Sequence, residues 1–240
     1  MNSIMSIVRK ELRGYFNSAI AYIVVIFFLI FPAVWLFFFN NFFQANTATL
    51  RGYFGIMPFI FIALLPALTM RSWAEERKLG TEELLLTLPF KETQIIIGKF
   101  LAPLILLLIM LVLTLPLPIS LSLLGRFDIG QIIGEYLGIL LLGSAGIAIG
   151  LFISSLTTNQ ITAFILSAVI LLFITLVGYI NNILQLPDWI ANLLTYLSLD
   201  HHFASFRKGL MDTRDALYFI FVTILFLYLN LKSLILKKWS

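Results

Sequence analysis

The residues most able to do chemistry lie in two short clusters, which are Glu75, Glu76 and Arg77, and Asp200, His201 and His202. Histidine and carboxylate side chains bind metal ions and transfer protons. Adjacent histidines point apart on a helix, however, so they chelate one ion poorly. The absence of cysteine from the sequence excludes thiolate zinc sites, iron–sulfur clusters and cysteine nucleophiles. We therefore predict no catalytic and no metal site, and a packing or pH-responsive role for the histidines.

The elements that must hold these residues follow from a very apolar composition. Of 240 residues, 60% are hydrophobic and 12% are charged, with a mean hydropathy of +1.01. A soluble domain is nearer half apolar and a quarter charged. A water-soluble fold of this size cannot bury so much apolar surface, so lipid must cover part of it. This excludes secreted globular domains, disordered chains, nucleic-acid-binding modules and ordinary cytosolic enzymes.

Six stretches are long enough to cross a bilayer as helices, which requires about 20 apolar residues each. They are predicted at Ala19–Phe39, Tyr53–Met70, Phe100–Leu124, Tyr136–Leu156, Ile161–Ile180 and Ala216–Leu236. These stretches are too long and too uniformly apolar for barrel strands, so helices are the form that satisfies the backbone in lipid. The predicted fold class is an all-α polytopic membrane protein, with residues 1–240 forming a single transmembrane domain.

The distribution of Lys and Arg predicts which side each loop faces, because cytoplasmic loops carry an excess of both. With the N-terminus inside, the inner segments hold 11 of these residues: Arg9, Lys10, Arg13, Arg71, Arg77, Lys78, Lys91, Lys99, Lys232, Lys237 and Lys238. The outer segments hold 5: Arg51, Arg126, Arg207, Lys208 and Arg214. This asymmetry predicts that both termini are cytoplasmic.

Two segments outside the spans are predicted to be helical and to lie against the membrane. In residues 1–17, apolar residues recur at helical spacing with Arg9, Lys10 and Arg13 off the stripe, which favours an interfacial helix over a short basic flank. Residues 181–215 are too apolar for open water and hold Trp189 and Tyr196, which suit a membrane interface. They predict a re-entrant pair of short helices, with a span extension and an ordinary loop as the alternative.

The segment 71–99 combines charge with leucine in an unusual way. Arg71 and Glu75 have helical spacing for an ion pair, and Gly80 allows a sharp turn. Thr81 can cap a new helix, which has Glu82 and Glu83 in its first turn, Leu84, Leu85, Leu86 and Leu88 along it, and Pro89 at its end. Leucines in a water-exposed loop indicate a docking element, whereas a solvated hairpin would explain only the charge.

The run MRSWAEERKLGTEELLLTLPFKETQIIIGKF resembles the first cytoplasmic loop of ABC-2 type permeases. In that family the loop carries a coupling helix that sits in a cleft of the ATP-binding cassette subunit. The resemblance implies the ABC-2, or type V-like, exporter fold. The coupling residues that it implies are Arg71, Glu75, Glu76, Arg77, Gly80, Thr81, Glu82, Glu83, Leu85 and Pro89.

The same resemblance implies the partners and the cellular setting. Two ABC ATPase subunits would bind ATP and Mg²⁺, because this sequence has no phosphate-binding G-x-x-x-x-G-K-[S/T] motif and no cofactor site of its own. A second copy of this permease or a related permease, lipid and an extracytoplasmic auxiliary protein would complete the complex, with no nucleic acid, in a prokaryotic inner membrane. Residues 196–218 resemble the branch with the gliding-motility permease GldF and the nitrous-oxide-reductase maturation permease NosY. That branch implies export or mechanical work on the envelope.

Small residues form one row along the fourth predicted span, at Gly134, Gly138, Gly146 and Gly150. Such a row lets helices pack closely, either as ordinary packing or as a seam that transmits motion. Pro103, Pro116 and Pro118 in the third span indicate either an irregular helix or a hinge.

Two further functions stay open as alternatives. An ATP-independent transporter or channel would need more polar groups at membrane depth than these spans offer. A membrane-embedded enzyme is suggested only by Glu75-Glu76-Arg77, which resembles the E-E-x-x-x-R signature of CAAX-type proteases, but here the arginine follows at once and membrane histidines are absent.

Overall fold

A computed structural model describes residues 3–40, 42–43, 49–82, 91–123, 125, 127–180 and 187–238. These residues are almost entirely helical and contain no strand. The α-helices in chain order are α1 Ser3–Phe16, α2 Ala19–Val34, α3 Arg51–Gly55, α4 Met57–Thr69, α5 Arg71–Lys78, α6 Glu92–Thr114, α7 Pro116–Ser122, α8 Ile129–Leu156, α9 Gln160–Leu176, α10 Asp188–Leu197, α11 Leu199–Arg207 and α12 Thr213–Lys238. A π-helical turn at Trp35–Phe39 extends α2, and a 3₁₀ turn at Val177–Tyr179 extends α9.

Six helical stretches of the described residues are long and apolar enough to cross a membrane, which confirms the predicted fold class. We refer to them as the first to sixth spans: Ala19–Phe39, Met57–Lys78, Glu92–Ser122, Ile129–Leu156, Gln160–Tyr179 and Thr213–Leu236.

The observed helices differ from the predicted spans mainly at their polar ends. The second span begins at Met57 rather than Tyr53, because α3 is a separate helix and Pro58, which lacks an N–H, occupies the first turn of α4. It then continues through polar residues to Lys78, and the third span begins at Glu92 rather than Phe100. Most of the predicted loop 71–99 is therefore a pair of helix extensions, and residues 83–90 lie outside the described part.

The core is built around the fourth span. In its most apolar 18 residues 78% are buried, against 67% and 56% for the second and third spans and 22–28% for the first, fifth and sixth. Helix α8 packs against α4, α5, α6, α9, α11 and α12. The second, third and fourth spans thus form a central unit, and the other three present wide apolar faces outward.

The glycines of the predicted row lie where α8 meets its neighbours. A Cβ at Gly138 would lie 2.6 Å from the Cβ of Phe206, and Cβ atoms at Gly146 and Gly150 would overlap Leu65 and Thr69 of α4. Gly134 has ordinary contacts with the end of α11 and the loop after it. The close approach of α4 and α8 therefore depends on the missing side chains.

Helix α1 packs on the start of the third span. Its apolar residues Ile7 and Val8 are buried, and Ile7 lies directly over Gly98. Met5 and Phe16 remain exposed. The apolar stripe predicted to face lipid is therefore used in part for packing against the protein itself.

Candidate functional site

The second span carries its helix beyond its most apolar part because a side chain from the fourth span satisfies the backbone at the joint. Helix α4 ends at Thr69 and α5 begins at Arg71, which leaves N–H groups of the new first turn in need of acceptors. The buried hydroxyl of Ser154 accepts from the N–H groups of Trp73, at 3.1 Å, and Ala74, at 3.2 Å, and donates to the carbonyl of Met70. This interaction fixes α5 to the end of α8.

Helix α5 ends in a tight turn at Gly80. The Leu79 N–H donates to the Glu75 carbonyl and the Gly80 N–H to the Arg77 carbonyl. Gly80 has a φ of +69°, a backbone conformation that residues with a side chain rarely adopt. The structure therefore places Gly80 at the sharp turn that the sequence predicts.

Arg77 joins this turn to the loop between the fourth and fifth spans. Its Nε and Nη2 atoms lie 2.6 and 2.9 Å from the two carboxylate oxygens of Glu82, and Nη1 donates to the carbonyl of Thr157 at 3.1 Å. The side chains are only 13% and 12% exposed. A two-pronged arginine–carboxylate pair of this kind fixes orientation as well as distance. One guanidinium group therefore connects α5, the Gly80 turn and residue 157.

The remaining predicted coupling residues are only partly described. Thr81 lies in a helical stretch with Glu82, and its hydroxyl donates to the Glu76 carbonyl at 3.2 Å. Glu83, Leu85 and Pro89 lie outside the described residues, as does most of the predicted coupling helix.

A buried lysine holds the second and third spans to α1. Lys99 is 1% exposed, and its Nζ lies 2.8 Å from Glu11 and 2.9 Å from Glu76. It also donates to the Ser72 carbonyl at 2.6 Å and stands 4.7 Å from the centre of the Trp73 ring. A buried charge is stable only when it is paired and hydrogen-bonded, and Lys99 meets both conditions.

Two outer ion pairs complete this cluster. Lys10 of α1 binds the second oxygen of Glu76 at 2.7 Å, although its side chain is 60% exposed. Burial alone would lower the pKa of Lys10, but the hydrogen bond and the charge of Glu76 outweigh it and raise that pKa. Arg71 and Glu75 form the predicted ion pair loosely, at 3.9 Å, and Arg71 also donates to the Ser18 hydroxyl.

We call the assembly formed by residues 3–18, 69–82, 91–99 and 154–160 the near end of the bundle. Its contacts connect helices rather than expose reactive groups, since Glu75 and Glu76 each face a cationic side chain. Within the described residues, no cluster of three or more His, Asp or Glu could hold a metal ion.

Sequence reasoning missed Glu11, the burial of Lys99 and the Ser154 hydrogen bonds. A lysine within the apolar run IIIGKFL was the available signal for a buried pair.

We call residues 127–138, 179–180 and 187–218 the far end. Pro187 precedes α10, and α10 and α11 form the predicted pair of short helices.

The two histidines do not converge on one site. His201 is exposed, whereas buried His202 lies between the Asp215 carboxylate, at 2.7 Å, and the Tyr196 carbonyl, at 2.9 Å. Asp200 instead accepts a hydrogen bond from the Tyr179 hydroxyl at 2.6 Å.

Comparison with protein families identifies the family to which this bundle of membrane helices belongs. The sequence profile of the ABC-2 family transporter proteins matches residues 38–231, which is well over half of the chain and includes the second to fifth spans and most of the near end. No curated protein matches the chain. The chain therefore belongs to the ABC-2 transporter family, as a multi-pass membrane subunit that is not itself the ATPase.

Proposed function

We propose that the near end receives the movement of a partner ABC ATPase and passes it to the central spans. The observation that carries the proposal is the position of Arg77, which holds the Gly80 turn through Glu82 and the loop between the fourth and fifth spans through Thr157. A force applied to either segment is thereby shared by both. The resemblance of residues 70–100 to the coupling loop of ABC-2 permeases supports the same role.

The route from this turn into the membrane is short and stiff. The second span runs for 22 residues through α4 and α5, about 33 Å at 1.5 Å per residue, and Ser154 holds the joint of the two helices at Met70. In the fourth span, Ser154 accepts hydrogen bonds from α5, and Gly150 allows α4 to pack closely. In the third span, Lys99 pairs with Glu76 of α5 and with Glu11 of α1. Displacement of the turn would therefore move the second, third and fourth spans together against the less buried first, fifth and sixth spans.

The proposed complex contains two permease chains and two ATPase subunits, which bind ATP and Mg²⁺. The excess of Lys and Arg on one side supports cytoplasmic termini. The resemblance to ABC-2 permeases supports a prokaryotic inner membrane. The apolar spans suit a lipid, a lipid-linked glycan or a hydrophobic peptide as the exported substrate, or mechanical work on an envelope partner. The resemblance to the GldF and NosY branch supports a task in gliding motility or envelope maturation.

The first test is co-purification of the tagged chain from gently solubilised native membranes, followed by mass spectrometry and an ATPase assay. We expect an ATP-binding cassette protein in stoichiometric amount, and any further envelope protein in the complex would indicate the task. Absence of an ATPase under mild detergent would contradict the proposal and favour an ATP-independent transporter.

The second test reverses the charges of the Arg77–Glu82 pair. Arg77→Glu and Glu82→Arg should each lower permease-stimulated ATP hydrolysis about tenfold, the effect of about 1.4 kcal/mol. The double variant should recover part of the activity, because it restores an arginine–carboxylate pair but not the bond to Thr157. Lys78→Glu is the matched control, since it makes the same charge change at an exposed neighbouring position. Equal losses in Lys78→Glu and Arg77→Glu would show that surface charge, rather than the pair, matters.

A further inference from the structure

A cavity of about 320 Å³ opens at the near end between α1, the start of the first span and the joint of α4 and α5. Pockets that bind small ligands begin at about this size, near 300 Å³. The coupling role described above does not use this cavity.

The walls of the cavity divide into an apolar and a charged part. The apolar wall comes from Ile20 and Ala21 at the start of the first span and from Ala67 and Leu68 near the polar end of α4. The charged wall comes from α1 and α5, whose residues lie beyond the apolar parts of the spans: Lys10, Glu11, Arg71, Glu75 and Glu76. The cavity therefore lies at the level where the membrane helices pass from hydrocarbon to the polar interface.

The charged wall offers binding capacity for both signs of charge. Arg71 donates through one Nη atom to Ser18, and its side chain is 38% exposed, so its second Nη atom is open to a ligand. A guanidinium group with free donors suits a phosphate. The Glu75 carboxylate, with its side chain 41% exposed and its ion pair as long as 3.9 Å, can accept from an ammonium group. Glu11 adds a second carboxylate on the same wall.

We infer that this cavity binds the head group of a zwitterionic phospholipid that carries a primary ammonium, the ethanolamine type, drawn from the adjacent leaflet. Arg71 binds the phosphate, Glu75 and Glu11 bind the ammonium, and the first carbons of the lipid lie on Ile20 and Ala67. The two cations and three carboxylates of the wall disfavour an anionic lipid, which would bring negative charge without an ammonium. A choline head group lacks the N–H donors that carboxylates bind. The inference does not depend on coupling to an ATPase.

The test is native mass spectrometry of the purified full-length chain with phosphatidylethanolamine, phosphatidylcholine, phosphatidylglycerol or soluble glycerophosphoethanolamine. We expect one phosphatidylethanolamine to be retained about tenfold more tightly than phosphatidylglycerol or phosphatidylcholine, and the soluble head group to bind far more weakly than the lipid. Equal retention of the three lipids would mean general annular binding and would overturn the inference. Equal binding of the soluble head group would overturn the assignment to a membrane lipid.

Gly14 provides a variant that fills the cavity. It lines the cavity, and an added Cβ meets no atom within 4 Å, so a large side chain has room to enter. Gly14→Phe should reduce phosphatidylethanolamine retention about tenfold. Gly14→Ala, and Arg13→Phe at an exposed neighbour outside the cavity wall, should leave retention unchanged. Equal retention by Gly14→Phe and Arg13→Phe would overturn the site.

Glu75→Gln gives an independent measurement if Gly14→Phe does not fold. It removes the carboxylate charge assigned to the ammonium and leaves Arg71 for the phosphate. The preference for phosphatidylethanolamine over phosphatidylglycerol should fall severalfold, whereas an unchanged preference would exclude the assigned role of Glu75.

Discussion

The carboxylates of Glu76 and Glu82 at the near end are held differently from those of Glu135 and Asp200 at the far end. At the near end, Glu76 and Glu82 lie against the cationic side chains of Lys99 and Arg77. At the far end, Glu135 accepts from the neutral amide of Gln131 at 2.9 Å, and Asp200 accepts from the hydroxyl of Tyr179. The first two carboxylates should therefore be sensitive to the loss of one charge, and the other two to the loss of one hydrogen-bonding group.

The largest expected effect is at Lys99. Lys99→Met should reduce the free energy of unfolding by about 3–5 kcal/mol, because it leaves the carboxylates of Glu11 and Glu76 without their buried cation. The thermal unfolding midpoint of the purified chain in detergent measures the change. Adding Glu11→Gln should recover part of the loss, since Glu11 loses its only cationic partner among the described residues in Lys99→Met, whereas Glu76 keeps Lys10. Wild-type stability in Lys99→Met would contradict the structural role of the cluster.

Lys99 also illustrates what sequence reasoning could not reach. The sequence alone indicates a lysine beside an apolar helix, and such a residue needs a partner or access to water. The partner Glu11 lies 88 residues earlier in the chain, in a separate helix. Their contact depends on the packing of α1 on the third span, where Ile7 lies over Gly98. Side-chain partners on helices far apart in the sequence are set by how those helices pack. The hydrophobic periodicity of a single segment does not predict that packing.

The second-largest expected loss of stability comes from substituting His202 in the far end. Because a carbonyl only accepts, the Nε2 atom of His202 must donate to Tyr196, and Nδ1 faces Asp215. His202→Ala leaves both of these partners without a hydrogen bond and should cost about 2–3 kcal/mol. His201→Ala, the matched control at an exposed neighbour, should change stability by less than about 0.5 kcal/mol. Equal effects of the two variants on the thermal unfolding midpoint would exclude the bridging role.

The fold was more predictable than the positions of its helix ends. Six apolar stretches were sufficient to predict six spans, because crossing a bilayer requires length and hydropathy that few other elements combine. Hydropathy reports where a helix meets lipid, however, and not where it ends. Residues 71–78 are polar and yet continue the second span, because Ser154 satisfies the backbone where α5 begins. The turn at Gly80 could be predicted, since a local conformation there requires glycine.

The smallest expected effect is at Lys10, which shares the Glu76 carboxylate with Lys99. Lys10→Ala should cost less than about 1 kcal/mol, because the side chain is largely exposed and Glu76 keeps its buried partner. The raised pKa of Lys10 means that this contribution is complete at neutral pH and is lost only as pH rises through the folded-state value.

High salt should affect the consequences of the two lysine substitutions differently. At about 1 M salt, where screening acts over about 3 Å, the effect of Lys10→Ala on the unfolding midpoint should vanish, whereas that of Lys99→Met should persist. If both effects disappeared together, Lys99 would be accessible to solvent ions, and the contrast between a buried and a surface ion pair on one carboxylate would be wrong. If both persisted, Lys10 would be as necessary as Lys99 for holding α1 against the second span.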